Sequence, residues 1–391
     1  MEQNIFAKHN TSIDMLRGLT MLLMVFVNDL WSVGGVPHFL EHFEVFEDGM
    51  GVADIVFPMF LFAMGMSIPY AIERRFSKGY TGESTLGHIL SRTFALVVMG
   101  VFIVNSESDF TSVVGYGYDA YRLLMVIAFF LIWNCYRKES KLKKWLQIAG
   151  VAILAFLAFT YRTPEGGYIQ GLWWGILGII GWTYCFCATA YLLARKKPIY
   201  LLLTWAILCV INLLVTKMHG GQQLIPGPSL LNDMMSALNI GNGSFTVMAL
   251  GGVLFSLAES RQANCLYALG LAASLAIVAT ILHTWWAVSK LLGTLPWCLY
   301  VSSISVCLYL ILRILESYNL TAWFRPVSVS GTATLTVYMM PYILYSVNSL
   351  LNLYIPGCIS GPVGLLKCVA FSFLCVFMAS GFVRLGLRLK V

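Results

Sequence analysis

Long apolar runs recur along the whole chain, and they constrain its fold more than any other feature of the sequence. A helix needs about 20 mostly apolar residues to cross a bilayer, and twelve segments come close to that length. They span residues 13–33, 51–72, 88–105, 120–136, 145–161, 171–194, 199–216, 243–258, 264–287, 294–315, 331–353 and 363–385. The pattern predicts an all-α, polytopic transmembrane helical bundle of about twelve spans, within a range of 10–12.

The composition agrees with a membrane protein. Charged residues make up only 11% of the 391 positions, whereas soluble globular proteins carry about 25%. No polar stretch is long enough for a separate soluble domain, so we expect residues 1–391 to form a single integral membrane domain in the lipid bilayer. Most cysteines lie inside apolar runs, where they pack as small apolar side chains. We therefore expect no metal site and no disulfide framework.

The basic residues predict the orientation of the chain. If the N-terminus is cytoplasmic, 20 of the 25 Lys and Arg residues lie on the inner side of the twelve-span arrangement. The positive-inside rule therefore predicts that both termini are cytoplasmic. Short basic connections of this kind do not indicate a nucleic-acid partner. The connection 34–50 then faces outward, and it carries four acidic residues and no Lys or Arg.

The stretch 28–58, which joins the first two apolar runs, carries the most unusual side chains. Asn28 and Asp29 end the first run, His38 and His42 lie in the connection, and Asp54 lies near the start of the second run. A carboxylate at or inside a membrane helix is costly, so it is a candidate functional residue. A histidine with a pKa near 6.5 can exchange a proton at neutral pH. On spacing alone, a structural role is the better explanation for either histidine.

Two further polar patterns follow helical spacing. Arg17 and Asn28 share one face of the first apolar run, about 16 Å apart along the helix axis. Either this face is functional, or Arg17 is an interfacial anchor and Asn28 a helix cap. A second stripe faces either a neighbouring helix or a wet cavity. It consists of Thr334, Tyr338, Tyr342, Tyr345, Ser349 and Asn352.

Several segments resemble a known family. IDMLRGLTMLLMVFVND (13–29), GMGVADIVFPMFLFAMGMSIPYAIERR (49–75) and LSRTFALVVMG (90–100) resemble the transmembrane acetyltransferases related to lysosomal heparan-α-glucosaminide N-acetyltransferase, and bacterial members above all. SKLLGTLPWCLYVSS (289–303) is similar to the family's Asn-Lys-x-x-Trp-Thr segment, although Ser and Gly replace its Asn and Trp. VSGTATLTVYM (329–339) resembles its penultimate helix. The resemblance is specific over residues 13–100 and weaker beyond them.

The resemblance implies an acyltransferase in a bacterial cytoplasmic membrane. Such enzymes take an acetyl group from cytosolic acetyl-CoA and pass it to an amino sugar or glycan on the other side. The family's Asn matches Asn28 and its His matches His42 best, with His38 as the alternative because the gap to Asp54 is longer than in many members. His42 would be the general base or an acetyl carrier, and Asn28 would donate to the thioester oxygen. Asp29 or Asp54 would orient the imidazole. The CoA phosphates would pair with Arg17, Arg74, Arg75 and Arg92.

Two other functions are compatible with the sequence. An O-acetyltransferase acting on a lipid-linked or surface glycan would use the same groups. A secondary transporter of a sugar or organic anion would usually show matching broken helices in its two halves, and the sequence shows no such pair. Acetyl-CoA is the expected co-substrate, and a homodimer is left open as a further association.

Overall fold

A computed structural model describes residues 10–136, 141–195, 197–225, 229–261, 264–352 and 359–391. Four of the basic residues behind the orientation prediction lie outside these ranges, namely Lys8, Arg137, Lys138 and Lys196. In the described residues, regular structure is helical apart from one antiparallel pairing of two short strands, β1 (Thr111–Ser112) and β2 (Tyr161–Arg162). The predicted all-α fold class is confirmed.

Every predicted apolar segment coincides with an α-helix. The α-helices are α1 Thr11–Asp29, α2 Val52–Ser77, α3 Gly82–Glu107, α4 Tyr118–Trp133, α5 Lys141–Thr160, α6 Ile176–Ala194, α7 Ile199–Val215, α8 Leu230–Ala237, α9 Ser244–Arg261, α10 Cys265–His283, α11 Leu295–Ser317, α12 Ser328–Thr332, α13 Thr334–Leu350 and α14 Gly361–Arg384. Backbone groups in lipid must be satisfied within their own segment, which is why apolar runs of this length form helices.

Seven of the described helices are long and apolar enough to cross a membrane by themselves: α2, α3, α5, α6, α10, α11 and α14. The number rises to eight if Ala322–Thr332 and Thr334–Leu350, which are bent by 81° to each other, form one broken span. The chain is therefore a multi-pass integral membrane protein. Twelve spans and cytoplasmic termini stay predictions.

Helix α2 is the centre of the bundle. In its most apolar stretch 78% of the residues are buried, and it packs against α1, α6, α9 and α11. Small residues allow the close approach of α9, because a Cβ atom on Gly65 would lie 1.9 Å from the Ala249 carbonyl oxygen. Close packing at glycine is the usual way in which membrane helices associate. By contrast, only 17% of the apolar stretches of α5 and α10 is buried, so these helices lie at the periphery.

The two ends of α2 carry predicted site residues. Asp54 lies in the first turn and Arg74 in the last, about 30 Å apart at the rise of an α-helix. Helix α1 packs beside α2, and its Arg17 Nη1 lies 3.4 Å from Ser67 Oγ in the C-terminal half of α2. The bundle therefore separates an Asp54 end from an Arg74 end.

Candidate functional site

Asp54 and His42 form a hydrogen-bonded pair at the start of α2. His42 Nδ1 lies 2.7 Å from Asp54 Oδ1, and Asp54 Oδ2 accepts the backbone N–H groups of Phe43 (3.0 Å) and Gly51 (3.1 Å). The carboxylate is 2% exposed, whereas the imidazole is 51% exposed. The contact with the Asp54 carboxylate favours the tautomer with the proton on Nδ1, which leaves a lone pair on Nε2. This is the arrangement of an oriented general base or nucleophile.

The local sequence explains why the pair forms. Gly51 precedes the first turn of α2, and the Asp54 side chain accepts its backbone N–H, as in a capping box. A carboxylate in this turn also interacts favourably with the helix dipole. The chain at Glu41 crosses directly over Gly51, since a Cβ atom at that position would lie 2.0 Å from the Glu41 carbonyl oxygen. Glycine therefore admits the loop that places the neighbouring His42 over Asp54.

Lys290 completes this cluster and was not among the predicted site residues. Its Nζ lies 3.1 Å from His42 Nδ1, 3.5 Å from His42 Nε2 and 3.7 Å from Asp54 Oδ1. Burial lowers the pKa of Lys290, and the Asp54 carboxylate opposes that shift. The family segment at 289–303 contains a Lys at this position, which is the signal that could have identified it. Its amine lies beside the ring, where it can donate to a developing oxyanion.

The Lys290 segment is held by a tight turn. Gly293 has a φ of +61°, and a Cβ atom there would lie 2.4 Å from Asn242 Nδ2. Its carbonyl oxygen accepts hydrogen bonds from the Asn212 side chain (2.8 Å) and the Asn242 side chain (3.2 Å). The glycine found where the family has Trp therefore fits a position that favours glycine.

His38, the alternative to His42, lies apart from Asp54. Its Nε2 is 2.5 Å from Glu47 Oε1, and its ring stacks on Phe43. The Glu47 hydrogen bond raises the pKa of His38 and His38 lowers the pKa of Glu47. This loop thus contains two His–carboxylate pairs, His38–Glu47 and His42–Asp54. The His42 pair differs because its carboxylate is buried and Lys290 lies beside it.

Asp29, the alternative orienting carboxylate, belongs to a different cluster. It is fully buried and accepts hydrogen bonds from Lys367 Nζ (2.8 Å to Oδ2) and the Tyr345 hydroxyl (2.7 Å to Oδ1). These contacts attach the end of α1 to α13 and α14. The Asn28 amide beside it is exposed and has no hydrogen bond recorded within the part of the chain that the structure describes.

The C-terminal half of the polar stripe on α13 contacts neighbouring helices, and its N-terminal half lines a cavity. Tyr342 donates to Glu107 (2.9 Å), Tyr345 donates to Asp29, and Ser349 donates to Asp119 (2.6 Å). Thr334 and Tyr338 line the cavity. The two expectations for this stripe, a neighbouring helix or a cavity, are therefore each met over half of its length.

That cavity, of about 450 Å³, lies towards the Arg74 end of α2. Three of the four arginines expected to bind CoA line it: Arg17, Arg74 and Arg92. The Nε atoms of Arg17 and Arg92 are buried with no hydrogen-bond acceptor among the described residues. Leaving buried guanidinium N–H groups unpaired is costly. The arrangement therefore suits an anionic ligand that supplies the missing acceptors.

Other contacts of these arginines define the cavity's wall. Arg17 pairs with Asp14 (2.9 Å) and donates to the Gly331 carbonyl oxygen. The Arg92 guanidinium lies over the Tyr184 ring, 4.6 Å from its centroid. Among the described residues that line the cavity, Asp14 is the one acidic side chain, and five side chains are Arg or Lys.

The structure places Arg75 away from the other three arginines. Its Nη2 donates to the Ser84 carbonyl oxygen (3.2 Å), and its guanidinium lies 4.4 Å from the centroid of the Tyr80 ring. Arg75 does not line the cavity, because successive residues on a helix point in directions about 100° apart. Its expected contact with CoA phosphate therefore has no support in the geometry.

Two cations of the C-terminal segment line the cavity instead, and the sequence assigned them only to orientation. Arg388 and Lys390 are among its lining residues. The segment is tied to the end of α4 by hydrogen bonds from Arg388 N to Asn134 Oδ1 (2.8 Å) and from Lys390 N to the Trp133 carbonyl oxygen (3.0 Å). No local pattern predicts this, because it depends on the tail folding back across the bundle.

The cavity extends from the arginines towards the His42 cluster. Along α1 its lining runs from Arg17 to Met24, and Asn28 lies one turn further. Along α2 it runs from Arg74 to Phe60, and Asp54 lies about 9 Å beyond Phe60 along the helix axis. The two helices therefore lead from a cationic cavity to an oriented imidazole.

Comparison with known proteins adds an independent observation. Residues 9–169 match a family described as "Domain of unknown function (DUF5009)". Heparan-alpha-glucosaminide N-acetyltransferase from Mus musculus is 41% identical over 93 residues, and that from Homo sapiens is 39% identical over 94 residues. Each match covers 24% of this chain and 13% of the relative. The predicted resemblance of this chain to the heparan-α-glucosaminide N-acetyltransferase family is thereby confirmed for that part of the chain.

Proposed function

We propose that this protein is an acetyl-CoA-dependent N-acetyltransferase that moves an acetyl group across the membrane to an amino sugar or glycan. The observation that carries the proposal is the pairing of an exposed, oriented imidazole at one end of α2 with a cationic cavity at the other. In this proposal both termini are cytoplasmic, twelve helical segments cross the bilayer, and the membrane is the bacterial cytoplasmic one.

The cavity has the chemistry that CoA requires. CoA carries several phosphate charges, and arginine is the side chain best suited to bind them. The roughly 450 Å³ of the cavity falls in the usual range of about 300–1,000 Å³ for small-molecule sites. Arg17 and Arg92 have unpaired buried N–H groups, which phosphate oxygens would satisfy. Arg74, Arg388 and Lys390 would add charge at its edge.

The His42 cluster would carry out the transfer. Nε2 takes a proton from the acceptor's ammonium group, and the resulting amine attacks the thioester carbon. A C–N bond forms and the C–S bond breaks. The second proton lost from the nitrogen neutralises the leaving CoA thiolate, and the imidazolium returns the first proton to solvent. Asp54 keeps the proton on Nδ1 throughout, while Lys290 and Asn28 can donate to the oxyanion.

A two-step route uses the same atoms. Nε2 attacks the thioester carbon first, which forms an acetyl-imidazole and releases CoA, and the acceptor amine then displaces the imidazole. The 51% exposure of His42 allows either route. An O-acetyltransferase would differ only in the acceptor, with a hydroxyl in place of the amine.

The charge distribution supports transfer from the cytosol outward. The cavity lies at the end of the bundle where the positive-inside rule puts the cytoplasm. A transporter would usually show two matching broken helices, and among the described residues one bent pair is found, Ala322–Thr332 with Thr334–Leu350.

The test uses full-length protein in lipid nanodiscs, supplied with acetyl-CoA and a panel of amino sugars. Release of free CoA is followed with a thiol reagent, and the acetylated sugar is identified by mass spectrometry. We expect acceptor-dependent CoA release that His42→Ala abolishes. Acetylation at a hydroxyl would select the O-acetyltransferase. Absence of CoA release with every acceptor would contradict the proposed activity.

A further inference from the structure

Three separate connections meet near the His42 end of the bundle and bring together side chains that the proposed reaction does not use. The Asp48 loop is joined to the segment after α10, because Gly49 N–H donates to the Val288 carbonyl oxygen (2.9 Å). The turn after α7 joins the same segment, because His219 N–H donates to the Trp285 carbonyl oxygen (2.8 Å). These backbone contacts place Asp48, His219 and His283 in one cluster.

The cluster has the geometry of a metal-binding site. One potential ligand atom from each of Asp48, His219 and His283 lies within 4.8 Å of the other two. His283 Nε2 lies 2.9 Å from Asp48 Oδ1 and 2.8 Å from Oδ2. Ligands on a tetrahedral Zn²⁺ with bonds of 2.0–2.1 Å are about 3.3 Å apart. A movement of about half an ångström would therefore admit a metal ion between the His283 and Asp48 side chains.

The outer hydrogen bonds hold two of the ligands in place. His219 Nε2 donates to the His283 carbonyl oxygen (2.9 Å), which leaves a lone pair on its Nδ1. Asp48 Oδ1 accepts the Val288 backbone N–H (2.8 Å). Metal-binding histidines usually donate their other ring N–H to a carbonyl or carboxylate, and metal-binding carboxylates are themselves hydrogen-bonded.

We propose that Asp48, His219 and His283 bind one divalent transition-metal ion, and that Zn²⁺ is the ion their chemistry fits. Two imidazoles and one carboxylate are typical zinc ligands, and water would complete a tetrahedral site. Mg²⁺ and Ca²⁺ prefer oxygen ligands. This proposal replaces the expectation of no metal, which rested on the spacing of cysteines and did not consider ligands from two distant connections and the end of α10.

The ion would serve the nearby cluster by fixing the loops that carry it. Asp48 lies six residues after His42. Val288, whose N–H bonds Asp48, lies two residues before Lys290. Binding to the folded chain and not to the unfolded one stabilises the fold. Zn²⁺ would therefore hold the His42 loop against the Lys290 segment without contacting the reacting atoms.

The experiment measures metal content directly. Full-length protein without a histidine tag, in nanodiscs, is treated with a chelator, desalted, incubated with Zn²⁺ and passed through a gel-filtration column. We expect one Zn²⁺ per chain in the wild-type protein, and loss of that ion in His219→Ala and His283→Ala. His38→Ala is the matched control, because it removes an exposed histidine from a pair with Glu47 in the same loop, and it should retain the ion.

A second measurement identifies the ligand type in the wild-type protein and so does not depend on how the variants fold. Co²⁺ bound to the wild-type protein should show the visible spectrum of a tetrahedral nitrogen–oxygen site. A thiolate charge-transfer band would place the ion on cysteines and overturn the assignment. Substoichiometric Zn²⁺ in the wild-type protein, or one Zn²⁺ retained in both histidine variants, would overturn it as well. None of these outcomes depends on acetyltransferase activity.

Discussion

Replacement of Asp54 by Asn tests the proposed role of the His42 cluster most directly. The carboxylate accepts three hydrogen bonds, from His42 Nδ1 and from the N–H groups of Phe43 and Gly51. An amide has a single acceptor oxygen, so Asp54→Asn cannot satisfy all three. If the amide oxygen keeps the backbone contacts, its NH₂ group faces Nδ1 and favours the tautomer with the proton on Nε2. Nε2 would then lack the lone pair that takes the proton from the amino sugar.

The expected magnitude follows from these contacts. Loss of a correctly oriented general base lowers kcat by about 10²–10⁴-fold, or roughly 3–5 kcal/mol of transition-state stabilisation. Loss of a hydrogen bond to a buried charged group costs about 1.5–3 kcal/mol, so Asp54→Asn should also lower the free energy of unfolding by about this amount. We expect KM for acetyl-CoA to change little, because the cationic cavity lies towards the other end of α2.

The loop contains a matched control for this variant. Glu47 is hydrogen-bonded to His38 in the same way that Asp54 is hydrogen-bonded to His42. It also accepts the backbone N–H of Glu44. Glu47→Gln should therefore keep kcat within about threefold of the wild-type value, since its partner is not the proposed base. Both variants are assayed for CoA release at saturating acetyl-CoA, and their folding is checked by gel filtration. A fully active Asp54→Asn, or an inactive but folded Glu47→Gln, would refute the assignment.

Three further predictions follow from the same structure. His42→Ala should lower CoA release by about 10²–10⁴-fold while His38→Ala stays active, and the reverse result would assign the base to His38. Arg92→Gln should raise KM for acetyl-CoA by about 10–100-fold at nearly constant kcat, whereas Arg75→Gln should leave KM unchanged. Both are measured from acetyl-CoA saturation curves, and an unchanged KM for Arg92→Gln would contradict CoA binding in the cavity. A cysteine at Glu44 in a cysteine-free background should react with an impermeant maleimide in intact cells, and labelling only after lysis would reverse the proposed orientation.

The sequence by itself determined the helices and the candidate chemistry of residues 28–58. Apolar runs form helices in a membrane because no solvent is present there to satisfy the backbone, so each predicted segment coincides with a helix. The cost of a carboxylate beside a membrane helix identified Asp54. The family resemblance in residues 13–100 added His42 and Asn28. These conclusions depend on local composition and on short motifs, which a sequence displays directly.

Only the tertiary structure decided which of these side chains lie together. It brings His42 to Asp54 and leaves Asp29 bonded to Lys367. It also adds Lys290 from a segment 248 residues away from His42. Such separations have no periodicity or motif, because they arise when distant connections pack at the same end of a bundle.

The cavity and the proposed metal site show the same limit. Arg75 points away from the cavity on α2, so one expected cation is missing from the lining. Arg388 and Lys390 line the cavity instead, because the C-terminal segment is hydrogen-bonded to the end of α4. The proposed metal site draws its ligands from two connections and the last residue of α10. In a helical bundle the sequence specifies where each helix forms and which of its residues are polar. The packing of the helices and the course of the loops decide which polar groups face one another.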